Sequence, residues 1–311
     1  MKRTSVASAF FCAIAILVSG CTSVHPPSQV PAQTHAALPP ITDGPTVARH
    51  LQKRFDEANT ACGSSPPLPA VLCSGVLVRA TSHSTSYHAW DPNPNNPNGG
   101  GVSFSWMRQD ATFRQLARGA GNGFVLLPKF FSDTPGDGYY QMTVLCAYPM
   151  DGFTDKRHDK GCGEHWETPG KSGPCQSIGV TTGAAWKDRY VANKLGIYRC
   201  GFRLVQGTPN SADAFAQIPV AMRLIGADAF NEWNEVVIQQ WPQGIATSIP
   251  IEAFFYVSGT SGLSIAKYDQ KDFYNTSGRR WVPIIRVSMP TSIGARATFT
   301  YAAADQEVPY P

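Results

Sequence analysis

An arginine and two serines on neighbouring predicted strands are the residues of this chain best suited to chemistry. Arg79 lies near the end of the run VLVRA, and Ser103 and Ser105 alternate with Phe104 in the next strand-like run. Because side chains on a strand alternate between faces, Leu77 and Arg79 share one face and the two hydroxyls share a face of their own strand. A guanidinium beside apolar neighbours requires a carboxylate or phosphate partner. The pattern predicts either a structural ion pair or a phosphate clamp at Arg79, and either a site or a solvated face at the serines.

Two histidines lie between these runs. His83 and His88 flank the segment STSY. They are candidates for acid–base work of the kind that a metal-independent ribonuclease performs, or they are ordinary loop residues. Ser84 or Ser86 with His88 could act as a nucleophile and its base. However, the sequence has no G-x-S-x-G, so a serine hydrolase is weakly supported.

Carboxylates occur in two further segments. In AFNEWNEVVIQQW, which we predict to be helical, Glu232 and Glu235 are about one helical turn apart and share a face that solvent would cover. In YDQKDFYN, Asp269, Gln270 and Asp272 precede the strong strand signal WVPIIRV. We expect these three residues at a strand entrance beside a cleft, or in an ordinary turn.

The elements that position these residues follow from the hydrophobic pattern. Val47, Leu51 and Phe55 recur at four-residue steps and predict an amphipathic helix that ends before the turn residues at Gly63. Runs rich in β-branched and aromatic residues predict strands at 75–80, 101–106, 123–131, 139–148, 196–205, 251–258, 281–289 and 295–303.

Helices separate these strands. We predict them at 108–119, at 211–226, where Pro219 favours a kink, and at 229–241. Residues 149–190 hold two cysteines and many Gly and Pro positions, which indicates an irregular insertion pinned by disulfides. The sequence predicts an α+β fold with a mostly antiparallel β core and clustered helices.

The N-terminus carries an export signal. Residues 1–20 combine a basic start, the apolar run VASAFFCAIAILV and a small-residue pair before Cys21. This arrangement predicts a lipoprotein signal peptide with Cys21 as the lipidated residue, followed by a Pro-rich tether to residue 44 and one globular catalytic domain over 45–311. The chain would be an outer-membrane-anchored lipoprotein or, if the signal is an ordinary secretory one, a secreted protein without lipid on Cys21.

Six cysteines remain after Cys12 in the signal and Cys21 are set aside, namely Cys62, Cys73, Cys146, Cys162, Cys175 and Cys200. Six cysteines in an exported chain predict three disulfides, with about fifteen pairings open. The sequence contains no C-x-x-C, and one Cys–His pair in CGEH does not make a four-ligand site, so we predict no metal.

The charge balance indicates the kind of ligand. The formal net charge is +4, charged residues are only 15% of the chain, and Lys and Arg form no cluster. A mildly basic surface of this kind suits an anionic small molecule, and it does not favour nucleic acid as a partner.

Several blocks together resemble secreted bacterial proteins of the halovibrin type. They are CSGVLVRAT, YHAWDPNPN, GGVSFSWMRQDATF, NGFVLLP, PCQSIGVTTGAAW and YDQKDFYN, and the resemblance runs from about Cys62 to the end. It implies an NAD glycohydrolase with an ADP-ribosyltransferase-like fold, with ADP-ribosyl transfer as an associated activity. NAD would be the substrate and no separate cofactor is expected. A co-encoded immunity protein is a further candidate partner.

The resemblance also implies roles for individual residues. The Arg–Ser–Glu pattern of ADP-ribosyltransferase folds would make Arg79 the dinucleotide clamp and Ser103 with Ser105 the second element. Glu-x-Glu and Gln-x-Glu are absent from the chain, so Asp269 or Gln270 is the nearest equivalent of the third element. This departure argues against transfer to a protein acceptor.

An aromatic side chain from YHAW or SFSW would stack on the nicotinamide, which makes Tyr87, Trp90 and Trp106 candidates for substrate binding. Two other classes of function stay open. One is a toxin-like ribonuclease built on His83 and His88. The other is a non-enzymatic surface lipoprotein that binds a partner through its Gly/Pro-rich insertion.

Overall fold

The computed structural model describes residues 42–63, 67–81, 87–91, 101–127, 144–152, 162, 173–192, 199–204, 211–238, 244, 246 and 249–311. All of them belong to one compact unit that spans Ala36–Pro311. The predicted signal peptide, Cys21 and the tether up to residue 41 lie outside the described residues, as do His83, Ser84 and Ser86.

The first helix is the predicted amphipathic one. Helix α1 spans Gly44–Asp56, and the Asp43 side chain caps it by accepting a 2.8 Å hydrogen bond from the Thr46 N–H. A proline in the first turn suits this start because the first N–H groups of a helix have no partner within the helix. The buried face carries Val47, Leu51 and Phe55, as their four-residue spacing requires.

A ten-stranded sheet forms the centre of the described structure. Its strands are β3 (Val76–Ala80), β4 (Val102–Met107), β5 (Asn122–Leu126), β6 (Val144–Tyr148), β7 (Gly173–Pro174), β8 (Cys200–Arg203), β9 (Glu235–Ile238), β10 (Ile251–Val257), β11 (Ile284–Ser288) and β12 (Thr298–Tyr301). They lie in the order β12-β11-β10-β5-β3-β4-β9-β6-β8-β7, and the pairs are antiparallel except β10 with β11 and β7 with β8. A separate short pair joins β1 (Ala61–Cys62) to β2 (Leu68–Pro69).

Helices pack on this sheet to complete the core. Beyond α1, the helices in the described part of the chain are α2 (Gly183–Ala192), α3 (Ser211–Ile225, with Pro219 inside), α4 (Ala227–Asn231) and α5 (Gly262–Thr276). Phe55 of α1 packs on Phe299 of β12, and Phe273 of α5 meets Phe254 of β10 edge-on. The predicted α+β class with a mostly antiparallel sheet is confirmed.

Two predicted helices are wrong, and two helices were missed, namely α5 and also α2, most of which lies in the segment expected to be irregular. The segment 229–241 is helical only through Asn231, and it turns into β9 because three β-branched residues follow Glu235. Only the 3₁₀ turn Ala117–Gly119 is helical within 108–119. Residues 268–275, which we expected at a strand entrance or in a turn, lie inside α5.

Three disulfides are confirmed, and the structure decides their pairing. They join Cys62 to Cys73, Cys146 to Cys162 and Cys175 to Cys200. Such bonds form and persist in an oxidising compartment. Among the described residues, no helix has the length and apolar character that crossing a membrane would require.

The start of β3 depends on a glycine. Gly75 has a φ of +75°, and a Cβ added there would lie 2.0 Å from the indole nitrogen of Trp106. That indole is buried and donates to the Ser74 carbonyl at 2.9 Å, so it has no room to move. The close approach of backbone and ring therefore admits no side chain at position 75.

Replacing Gly75 by alanine should lower the free energy of unfolding by about 3 kcal/mol, because overpacking adds to the cost of a left-handed backbone. Gly63 is the matched control, since its φ is +71° and no atom of the described residues lies within 4 Å of its missing Cβ. Gly63→Ala should cost only about 1 kcal/mol. Urea unfolding of both variants measures the difference, and equal losses would contradict the packing argument.

Candidate functional site

Three polar residues from three adjacent strands are linked by hydrogen bonds near the centre of the sheet. Arg79 is on β3, Ser103 on β4 and Glu235 on β9. The Arg79 Nη1 donates to the Ser103 carbonyl at 2.8 Å, and the Ser103 hydroxyl donates to Glu235 Oε1 at 2.5 Å. The other carboxylate oxygen of Glu235 accepts from the Gly152 N–H at 3.0 Å. Backbone and side chain of one serine thus connect a cation to a carboxylate.

The sheet opens where Arg79 lies. The ladder between β3 and β4 ends at Val78 opposite Ser105, while Arg79 continues to pair with Phe124 of β5. Alternation directs the Cβ of Arg79 to the face of Phe124 and that of Ser103 to the opposite face. The guanidinium reaches the Ser103 carbonyl because β4 no longer pairs with β3 at this point.

Burial changes the pKa of the Arg79 guanidinium. Desolvation lowers the pKa of Arg79 to about 10, against the opposing effects of Tyr87 and Glu235. The guanidinium therefore stays protonated at neutral pH, and Glu235 contributes to keeping its charge. A half-buried cation that already has a protein acceptor suits a site where an anion can add a second partner.

Glu235 is the residue that the sequence reasoning missed. We expected it on a solvated helix face, but it is 4% exposed at the first position of β9. The register places Ser103 opposite Val237, two residues along β9, so Glu235 shares the face of the serines. The run Val-Val-Ile directly after it is the signal that predicts a strand here.

The other residues predicted on these strands and in the adjoining loop have different surroundings. Ser105 is buried at 6% exposure. Trp106 is fully buried and meets Phe215 edge-on, so neither ring face is open to a ligand. Trp90 is 1% exposed and stacks on His88. Of the three aromatic candidates, only Tyr87 lines an open cavity.

The predicted role of Gln270 requires contact with Arg79 and Ser103, but its hydrogen-bond partners are other residues. Its amide nitrogen donates to the Val282 carbonyl and to Gln306, and its oxygen accepts from the backbone N–H groups of Glu307 and Val308 at 2.9 Å each. With both donors and both acceptor positions engaged, this buried amide holds the C-terminal segment against α5.

Asp269 lies beside it on α5 in an apolar setting. It is 4% exposed, and its Oδ2 has no hydrogen-bond partner in the described part of the chain. Burial raises the pKa of Asp269 to about 7, and the charge of Asp272 adds to the effect. Asp272 in turn pairs with His88 Nδ1 at 2.5 Å. This pair attaches the segment around His88 to α5.

A cavity of about 540 Å³ opens beside Arg79. Its walls include Tyr87 and Asp91, the turn 117–122 and the start of α5 at 260–262. Asp91 accepts from the Gly244 N–H at 2.9 Å, which engages one of its oxygens. The described residues contain no group of three or more His, Cys, Asp or Glu side chains that could hold a metal ion.

The buried Asp269 predicts a pH-dependent stability. Its folded-state pKa near 7 lies above the unfolded value of about 3.9, so the folded chain holds a proton that the unfolded chain has released. Stability should therefore fall as pH rises from about 4 to 7, by at most about 4 kcal/mol, and then stay level.

Asp269→Asn should remove this loss and unfold at higher urea than the parent chain at pH 8, because the amide carries no charge. Asp188→Asn is the control, since Asp188 is an exposed residue of α2. Urea midpoints at pH 5 and pH 8 decide the matter. A variant with the same pH dependence as the parent would show that Asp269 is not the titrating group.

Comparison with known proteins gives no information on the chemistry of this site, which is therefore argued from its geometry. No family model matches the chain, and no curated protein matches it.

Proposed function

We propose that the chain is an exported NAD glycohydrolase whose reaction centre is formed by Arg79, Ser103 and Glu235, on an ADP-ribosyltransferase-like fold. One observation carries the proposal. An arginine, a serine and a glutamate lie on three neighbouring strands and are joined through the serine, and these are the residue types of the Arg–Ser–Glu pattern. Glu235 replaces Asp269 and Gln270 as the third element, because the amide of Gln270 is fully engaged elsewhere.

Cleavage of the nicotinamide–ribose bond of NAD needs few catalytic groups from the protein. In NAD, the bond between C1′ of the ribose and the nicotinamide nitrogen breaks, and its electron pair leaves with nicotinamide as a neutral molecule. A water oxygen then bonds to C1′, and the proton of that water passes to solvent. Since no leaving group needs a proton, the demand on the protein is to stabilise positive charge on the ribose.

Glu235 is suited to that demand. A carboxylate that accepts the ribose 2′-hydroxyl proton in a hydrogen bond stabilises the developing charge best where water is scarce, and Glu235 is buried. Its hydrogen bonds from Ser103 and Gly152 hold it in one orientation. Arg79 would hold the phosphates, which contributes by orientation.

Hydrolysis is favoured over transfer to a protein. In the transferase pattern, a glutamate or glutamine two positions before the catalytic glutamate helps to present the acceptor. Here that position is Trp233, which packs against the core and offers no carboxylate or amide. Water is then the acceptor that this site can take.

Export and lipidation belong to the same proposal. The three disulfides favour an oxidising compartment, and the sequence before residue 42 predicts attachment through Cys21. Mass spectrometry of the mature protein would show an N-terminal diacylglycerol on Cys21 if the attachment occurs. A mature chain without lipid on Cys21 would instead support a secreted protein.

Glu235→Gln should reduce kcat for NAD cleavage by about 10²- to 10³-fold, because the neutral amide no longer stabilises the cationic ribose. The assay is release of fluorescence from 1,N6-etheno-NAD by the purified, oxidised chain. Glu232→Gln is the matched control. It makes the same change three residues away, at a residue paired with Arg199 at 2.7 Å, and should keep full turnover.

The alternatives give different outcomes in the same assay. Full activity of Glu235→Gln would refute the assignment of Glu235. A parent chain that leaves NAD intact for hours would refute the glycohydrolase. Cleavage of RNA that depends on His88 would instead support a ribonuclease, and inertness toward both substrates would support a binding lipoprotein.

A further inference from the structure

Arg118 is an arginine in a backbone conformation that costs energy. Its φ and ψ are 57° and 23°, in the left-handed region, inside the turn Ala117–Gly119. Glycine adopts this region without steric cost, whereas an L-residue pays about 1 kcal/mol or more. A non-glycine residue held in this way often marks a functional position, so the side chain needs an explanation of its own.

The Arg118 side chain is available to bind a ligand. Arg118 is exposed, and within the described ranges its guanidinium makes neither a hydrogen bond nor an ion pair. It lines the cavity of about 540 Å³ that Arg79 also lines. Two arginines from separate elements therefore line one cavity, one at the end of β3 and one in the turn before β5.

The charges around the cavity favour an anion. Among the described residues that line the cavity, Asp91 is the one carboxylate, and one of its oxygens already accepts from Gly244. The first turn of α5, which also lines the cavity, contains no acidic residue. The positive end of that helix adds to the potential of the two arginines.

The geometry points to a second phosphate contact: we propose that Arg118 and Arg79 together bind the diphosphate of a nucleotide in this cavity. Arginine suits phosphate because its planar donors bind two oxygens at once. The volume is large enough for a nucleotide-sized ligand. This inference rests on the proposed function only in naming NAD as the natural ligand, and it makes Arg118 a residue that sets affinity for the phosphate part.

ADP is the probe because it carries the diphosphate and cannot lose nicotinamide. Adenosine and inorganic pyrophosphate separate the two halves of ADP. Calorimetry on the oxidised full chain should show that ADP and pyrophosphate bind and that adenosine binds at least tenfold more weakly than ADP. Arg118→Gln should weaken ADP binding by about 10- to 100-fold, as loss of a charge-assisted contact predicts.

Arg114→Gln is the matched control. Arg114 is an exposed arginine four residues earlier whose side chain does not line the cavity, so this variant should bind ADP within twofold of the parent. Arg118→Gly separates the loss of a ligand contact from a loss of stability. It should melt no lower than the parent, because glycine accepts the backbone conformation, and should still lose ADP affinity.

The outcomes separate this inference from the proposed function. ADP binding that depends on Arg118 in a chain that does not cleave NAD would keep the phosphate site and refute the glycohydrolase. NAD cleavage with an unchanged KM in Arg118→Gln would keep the reaction centre and overturn the phosphate site. Equal affinity for ADP in the Arg118→Gln and Arg114→Gln variants would overturn it as well.

Discussion

The hydrogen bonds made by Ser103 are the contacts on which the candidate site depends. Its carbonyl binds the guanidinium of Arg79 and its hydroxyl binds Glu235, so one residue of β4 connects the strands on either side. The strands that carry the cation and the carboxylate are separated by β4, and neighbouring strands are about 4.8 Å apart. The serine supplies the connection without adding charge.

The local opening of the sheet makes this connection possible. A continuous ladder would use the Ser103 carbonyl for backbone pairing, and the guanidinium of Arg79 would have no acceptor on that strand. Pairing of β3 with β4 stops after Val78, while pairing of β3 with β5 continues. The glycines at positions 75 and 123 allow the close approaches on either side of this strand. Strand β3 therefore has to fit closely against its neighbours and also to position Arg79.

Two buried polar groups elsewhere in the described structure, Gln270 and Tyr256, have a structural explanation. Gln270 satisfies all its hydrogen-bonding groups against the C-terminal segment, and Tyr256 binds Asp305 at 2.7 Å near the same end of the chain. Such contacts hold the end of the chain on the sheet, because leaving any one of these groups unpaired in the interior would cost free energy. Polarity and burial alone therefore do not distinguish a reaction centre from a structural lock.

Local patterns in the sequence were sufficient for some of these features. The alternation in VLVRA and SFSW predicts the faces of β3 and β4, the four-residue apolar spacing predicts α1, and six cysteines in an exported chain predict three disulfides. These inferences succeed because they depend on residues that are near one another in the chain. The mistaken helix at 229–241 also came from local pattern, where β-branched residues and acidic spacing gave conflicting signals.

Only the folded chain brings Glu235 to Ser103, because they are 132 residues apart in the sequence. No periodicity records which strand will pair with β4, and a shift of one residue in that register would turn Glu235 to the opposite face. The pairing of the cysteines and the engagement of the Gln270 amide depend on tertiary contacts in the same way. Residue types and local periodicity predict which groups are available, and long-range strand pairing decides which of them meet.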